Sequence, residues 1–352
     1  MVSLKYRTTF IDALITEIKN RKDYLNNILV DTIYFGGGTP SLLTISELSL
    51  IIKTVTDTYN LSPTAEITLE ANPDDLANES IQNLKNYTNI NRLSIGIQSF
   101  FDDDLLYLNR VHNSKQAIHA IENLISVGYS NITIDLIYGI PTLTEKKWKE
   151  NLNRFFEFNI PHLSAYSLTV EPKTALDVQI RKNKVQNINE NESIKHFEIL
   201  LNKTENKDFI NYEISNFAKV GNFSKHNSNY WLGKHYLGLG PSAHSYNGKS
   251  RQWNVSNIKL YCDENNYVNE IEYLTKEQQY NEYVLTSIRT IWGCKPDYIK
   301  SVFGDKFIRF FLSNINKSIL ENKVIFHNDT YTLTNYGKLF ADGIASSLFY
   351  GL

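Results

Sequence analysis

Cysteine is almost absent: Cys262 and Cys294 are the only two in 352 residues, and they stand far apart. No CxxC or CxxxC pair exists, so a disulfide framework, a structural zinc site and a Cys-ligated cluster cannot be assembled from these two thiols. Methionine occurs once, at Met1. Charge of one sign is also lacking, because the formal net charge is −2. Such a balance gives no field to draw in nucleic acid or an anionic membrane. No apolar run approaches the ~20 residues of a membrane span. The opening Met1-Val2-Ser3-Leu4-Lys5-Tyr6-Arg7 has neither the apolar stretch nor the cleavage site of a signal peptide. A cytoplasmic protein is expected, with 42% hydrophobic residues to fill a core.

What is present is alternation. Short β-rich runs at Thr32–Phe35, Glu66–Glu70, Arg92–Ile97, Asn131–Tyr138, His162–Leu168 and Phe209–Ile214 recur at intervals of about 30 residues, the size of a strand–helix unit. Between them lie helical stripes. Phe10, Leu14 and Ile18 form one, and Leu48, Ile51, Ile52 and Val55 another behind Ser46. Trp148, Leu152, Phe155 and Phe156 follow a Thr144-Glu145 start, and Gly128 closes a helix beginning near Ser114. This order predicts an α/β fold with a parallel sheet, either doubly wound or a full or partial β/α barrel. Polar and Gly-rich segments at the ends of successive strands favour the barrel. Beyond residue 275 closely spaced helices and a short β pair predict a small winged-helix-like module. Its charge balance speaks against DNA binding. Asn183–Asn191 reads as a surface loop.

The segment Tyr34-Phe35-Gly36-Gly37-Gly38-Thr39-Pro40 brings backbone N–H and C=O groups close to a ligand. It has neither the dinucleotide fingerprint nor the Lys-Ser/Thr of a phosphate loop, which disfavours NAD and ATP. Glu70 and Asp135 end otherwise apolar strands, where a carboxylate must be partnered or face a cleft. Arg110 suits a carboxylate, and Gln98 is as well suited to a structural hydrogen bond. His226-Asn227-Ser228-Asn229-Tyr230-Trp231 sets a histidine beside aromatics, an arrangement suited to iron ligation next to a flat macrocycle but more often that of a packed, hydrogen-bonded histidine. His235 and His244 are weaker candidates of the same kind.

The ordered set GGGTPS, LEANP, SIGIQSF, LNRVH and DLIYGIP resembles the barrel of radical-SAM proteins related to oxygen-independent coproporphyrinogen oxidase. SAYSL, YEISNFA, HNSNYW and GLGPSAHSY extend the resemblance over nearly the whole chain, and HNxxYW points to the heme-chaperone branch. The resemblance implies a radical-SAM partial barrel over 1–215, a connecting region over 216–274 and a helical domain over 275–352. It implies that Gly37, Gly38 and Thr39 line the methionine end of S-adenosylmethionine (SAM), that Glu70, Gln98, Arg110 and Asp135 contact SAM or a neighbouring substrate, Asp135 through ribose hydroxyls, and that heme binds with His226 on its iron. It further implies heme delivery to apoproteins, a membrane-associated one among them, with oxidase-like porphyrin chemistry or a binding-only paralogue as alternatives. The family's 4Fe–4S cluster uses a CxxxCxxC motif that in relatives lies shortly before the stretch matching Ser3–Arg7. The chain as given is therefore expected to hold no such cluster and to lack radical chemistry. A start assigned too far downstream would account for this, as would a cluster-less paralogue. Loss of the first barrel strand would leave Thr32–Phe35 as an exposed edge.

Overall fold

The computed structural model describes residues 6–76, 78–263 and 267–351, so the opening stretch before Tyr6 lies outside the described residues. One sheet has seven strands: β1 (Val30–Phe35), β2 (Leu61–Ala71), β3 (Arg92–Gln98), β4 (Ile132–Tyr138), β5 (His162–Ser167), β6 (Ile210–Glu213) and β7 (Asn216–Ala218). Their spatial order is β1-β2-β3-β4-β5-β7-β6. β2 through β5 run parallel, whereas β7 is antiparallel to both β5 and β6. The result is the expected partial β/α barrel, open rather than closed on itself. Among the described residues β1 has β2 as its one neighbour in the sheet.

The sequence explains why the sheet forms. Leu93, Ile95, Ile97, Ile134 and Leu136 are fully buried, as strands covered on both faces must be. Helices follow the strands in the chain, including Ile45–Thr58, Ser114–Ser126 and Glu145–Glu157. Asn113 opens the second of these with a capping box to Gln116, and Thr144 caps the third through the Lys147 N–H. Trp148, Leu152 and Phe155 are buried as their spacing predicts. The Asn183–Asn191 loop is shorter than expected, because Asn189 caps a helix that starts at Glu190.

The chain divides into two compact units. One comprises Ile33–Ile45 and Glu66–Ser224; the other comprises residues up to Thr32, Ser46–Ala65 and the chain from Lys225 onward. In the second unit, β8 (His244–Tyr246), β9 (Ser250–Asn254) and β10 (Val268–Tyr273) form an antiparallel sheet that the sequence reading missed. The helices Lys276–Ile288 and Asp305–Leu320 and the hairpin β11 (Val324–His327) and β12 (Thr330–Leu333) complete it. Its centre is polar. Fully buried Glu17 accepts from the Gly240 N–H at 2.8 Å, Tyr261 Oη at 2.7 Å and Asn254 Nδ2 at 2.7 Å. Arg21 pairs with it at 3.3 Å. The GLGPSAHSY segment thus serves in part to wrap a buried carboxylate.

Candidate functional site: an acid–arginine cleft and an aromatic cavity

The C-terminal ends of β1 to β4 converge on a cleft of about 220 Å³ within the first unit. Gly38, Thr39, Glu70, Gln98, Arg110 and Asp135 all line it. Gly37 stands exposed in the loop with φ +76°, outside the lining. Alternation along β3 turns Ser94, Gly96 and Gln98 to the same face, and all three reach the cleft. The ladder to β4 is irregular between Ile95 and Gln98. Gln98 has φ +67°, uncommon for a residue with a side chain. A bulge of this kind re-aims a side chain at a site.

Close approach fixes the glycines. A Cβ on Gly96 would lie 2.8 Å from Gln98 Nε2 and 2.9 Å from Arg110 Nη2. One on Gly36 would lie 2.6 Å from Tyr34 Cε1 and 2.9 Å from Glu70 Oε1. Arg110 Nη2 donates to Asn72 Oδ1 at 3.0 Å and to the Gly96 carbonyl at 3.1 Å. Burial lowers the Arg110 pKa, opposed by Asp74 and Asp135. Its other guanidinium N–H groups can still fork onto a carboxylate.

The acids differ. Tyr34 Oη donates to Glu70 Oε1 at 2.5 Å, and burial together with Glu70 pushes the phenol far above its ordinary range. Asp135, half-buried on β4, is pushed up to about 7, chiefly by burial and also by Glu70. Hydrogen bonds from Ser164 and Ser94 and the charge of Arg92 oppose the rise. Ser94 Oγ lies 3.3 Å from Asp135 Oδ1. At neutral pH this carboxyl is therefore shared between donor and acceptor forms. The sequence reading missed Tyr34, Asn72 and Ser94; for Ser94 the signal was its two-residue spacing from Gly96 and Gln98.

The histidines fall elsewhere. His226 lies on the short helix Lys225–Trp231 in the second unit, with Nδ1 3.1 Å from Thr32 Oγ1. Tyr230 and Trp231, at the end of this helix, enter the wall of a cavity of about 500 Å³, whereas His226 does not line it. His235 does, with its ring edge-on to Tyr246 at 6.3 Å. His244 is exposed, edge-on to Trp253 at 5.6 Å. His112 of LNRVH is buried, held by the Ile97 carbonyl at 3.1 Å, and burial lowers its pKa. Among the described residues no group of three or more His, Cys, Asp or Glu is placed to hold a metal ion. None of the described helices is long and apolar enough to cross a membrane.

A partial barrel with a Gly-rich loop after its first described strand and an acid–arginine cleft at its strand ends defines a radical-SAM protein. The family described as Radical SAM superfamily matches residues 6–155. The fold is similar to that of coproporphyrinogen III oxidase (HemN) from Escherichia coli, described as a radical SAM enzyme. That match has a TM-score of 0.84 at 20% identity, over 100% of this chain and 85% of that one. In sequence, the heme chaperone HemW of Bacillus subtilis is 33% identical over 95% of this chain and 89% of its own length. HemW of Lactococcus lactis is 31% identical over 91% and 84%. The chain belongs to the HemW heme chaperone family.

Proposed function

We propose that this chain binds heme and SAM and passes heme to apoproteins, a membrane-associated recipient among them, in the cytoplasm. The observation that carries the heme part is the HNxxYW helix. Its histidine is held by Thr32 through Nδ1, and its two aromatics open on a cavity of about 500 Å³. In this reading His226 is the iron ligand, since imidazole beside aromatic surface suits a heme. Segment 1–215 carries the SAM cleft, 216–274 the histidine helix, and 275–352 part of the aromatic wall.

The cleft suits SAM chemically. Arg110 offers N–H groups to the methionine carboxylate, Glu70 accepts from its ammonium, and Asp135 accepts from ribose hydroxyls. Gly38 and Thr39 bring backbone to the ligand, with Gly37 in the same loop and Gln98 at the bulge supplying an amide. A 4Fe–4S cluster held by three cysteines finds no such set among the residues of this sequence, which has only Cys262 and Cys294. Cys294 is buried, and burial raises its thiol far from the thiolate form. No radical step is assigned to these residues.

Titrating the purified chain with hemin tests the heme assignment, with the Soret band as readout. A saturable new band is expected for the wild type, with weakened binding and a shifted band for His226→Ala at unchanged circular dichroism. A wild-type chain that gives no saturable Soret change removes the assignment. An unchanged spectrum in His226→Ala removes His226 as ligand.

A further inference from the structure

His226 does not line the aromatic cavity, so iron ligation alone does not say where the organic part of a tetrapyrrole would rest. The cavity has features of its own that bear on this. Its volume of about 500 Å³ falls within the range of small-molecule pockets, about 300–1,000 Å³. Tyr230 and Trp231 meet edge-on at 5.5 Å on one side, and Tyr283 and Tyr298 lie 4.6 Å apart on another, with Trp292 between them in sequence. Flat aromatic walls favour a flat aromatic ligand.

Cationic groups stand in the same wall. Arg251 Nη2 pairs with Glu282 Oε1 at 2.7 Å, while its buried Nε has no hydrogen-bond partner in the protein. The Arg251 side chain is 35% exposed in the lining, so an incoming carboxylate can approach its guanidinium. Lys295 is exposed in the lining, free to reach a second carboxylate. Burial raises the Glu282 carboxyl, opposed by the charge and hydrogen bond of Arg251.

Resting on the heme reading above, we propose that this cavity is the seat of the tetrapyrrole ring, independent of the iron. Its aromatic walls take the faces of the macrocycle, and Arg251 and Lys295 take its carboxylates. Stacking and carboxylate contacts need no metal. Metal-free protoporphyrin IX should therefore bind the full chain, and His226→Ala should leave that binding within about threefold.

The test compares wild type, Thr286→Phe, Lys295→Glu and His226→Ala. Thr286 lines the cavity from the helix Lys276–Ile288, and its hydroxyl bonds only to the carbonyls of Glu282 and Tyr283 in that helix. A ring there fills the cavity without removing a tertiary hydrogen bond. Binding of protoporphyrin IX is followed by quenching of tryptophan fluorescence, and hemin binding by the Soret band. Thr286→Phe is expected to weaken both ligands at least tenfold, and Lys295→Glu at least threefold. If Thr286→Phe loses its helical signal, the exposed Lys295→Glu decides. Wild-type binding of hemin with unchanged affinity in Thr286→Phe and Lys295→Glu overturns the cavity assignment while the heme reading stands. Hemin binding without protoporphyrin binding overturns the iron-independence. A wild type that binds neither removes the heme reading itself.

Discussion

Asp135 is the residue at which the cleft's electrostatics can be measured without any ligand. Its carboxyl rises from 3.8 to about 7 in the folded chain, mainly because protein surrounds it on β4 and Glu70 stands nearby. A rise of about three pH units, at about 1.4 kcal/mol each, corresponds to a difference of about 4 kcal/mol between protonation states. The sign follows from proton linkage. The folded state holds the proton more tightly than the unfolded chain, so Asp135 does no harm below pH 4, where both states are protonated. Stability then falls as pH rises, and the loss is complete above pH 7. Asp135→Asn keeps the shape and an acceptor for Ser94 while removing the charge. It should match the wild type near pH 4 and be more stable at pH 8, by about 2–4 kcal/mol once water reaching the cleft is allowed for. In a unit of this size that is a rise in Tm of roughly 4–16 °C. Differential scanning fluorimetry of both proteins from pH 4 to 9 reads it directly. An Asp135→Asn curve parallel to wild type at every pH, or lying below it at pH 8, would falsify the electrostatic account of this cleft.

Gly96→Ala should fold with a Tm within a few degrees of wild type, because its Cβ meets only the far ends of Gln98 and Arg110. Moving the Arg110 guanidinium off Asn72 and Gly96 should weaken SAM by roughly tenfold or more, the value of one charged hydrogen bond; calorimetry showing equal affinity would contradict this. Glu17→Ala should cost about 3–5 kcal/mol in urea unfolding, since it removes the acceptor of the Tyr261 hydroxyl and the Gly240 N–H and the counter-charge of Arg21. A loss below 1 kcal/mol would show that the network contributes far less than its burial suggests.

Much of the first unit was legible in the sequence because its signals are local. β3 and β4 are short apolar runs between turn signals, and Asn113 and Thr144 announce their helices, so these elements appeared within a residue or two of expectation, whereas β2 begins at Leu61, before the expected Glu66, and β7 was not expected. Glu70 and Asp135 stood out for the same reason: a carboxylate at the end of an apolar strand has few explanations. The second unit resisted reading. β8 to β10 are three to six residues long and carry aromatics and charges without clean alternation. What makes Glu17 a core residue is a set of donors 223 to 244 positions further along the chain. No periodicity in its own helix announces such partners.

The histidine motif shows where that limit bears on function. HNxxYW drew attention to His226 because a histidine beside aromatics suggests iron. Three-dimensional placement separates the motif's parts: the histidine ring bonds Thr32, and the two aromatics turn into a cavity finished by residues some 50 to 70 positions later. A short motif can mark a metal ligand, but the seat of a macrocycle is an area rather than a point. It must be assembled from elements whose only common feature in the sequence is an abundance of tyrosine and tryptophan. Arg251 marks the site more sharply than the aromatics do. Its guanidinium, 35% exposed in the lining and paired on one side with Glu282, carries a buried Nε without a hydrogen-bond partner, which folding alone gives no reason to keep. A carboxylate-bearing ligand supplies one.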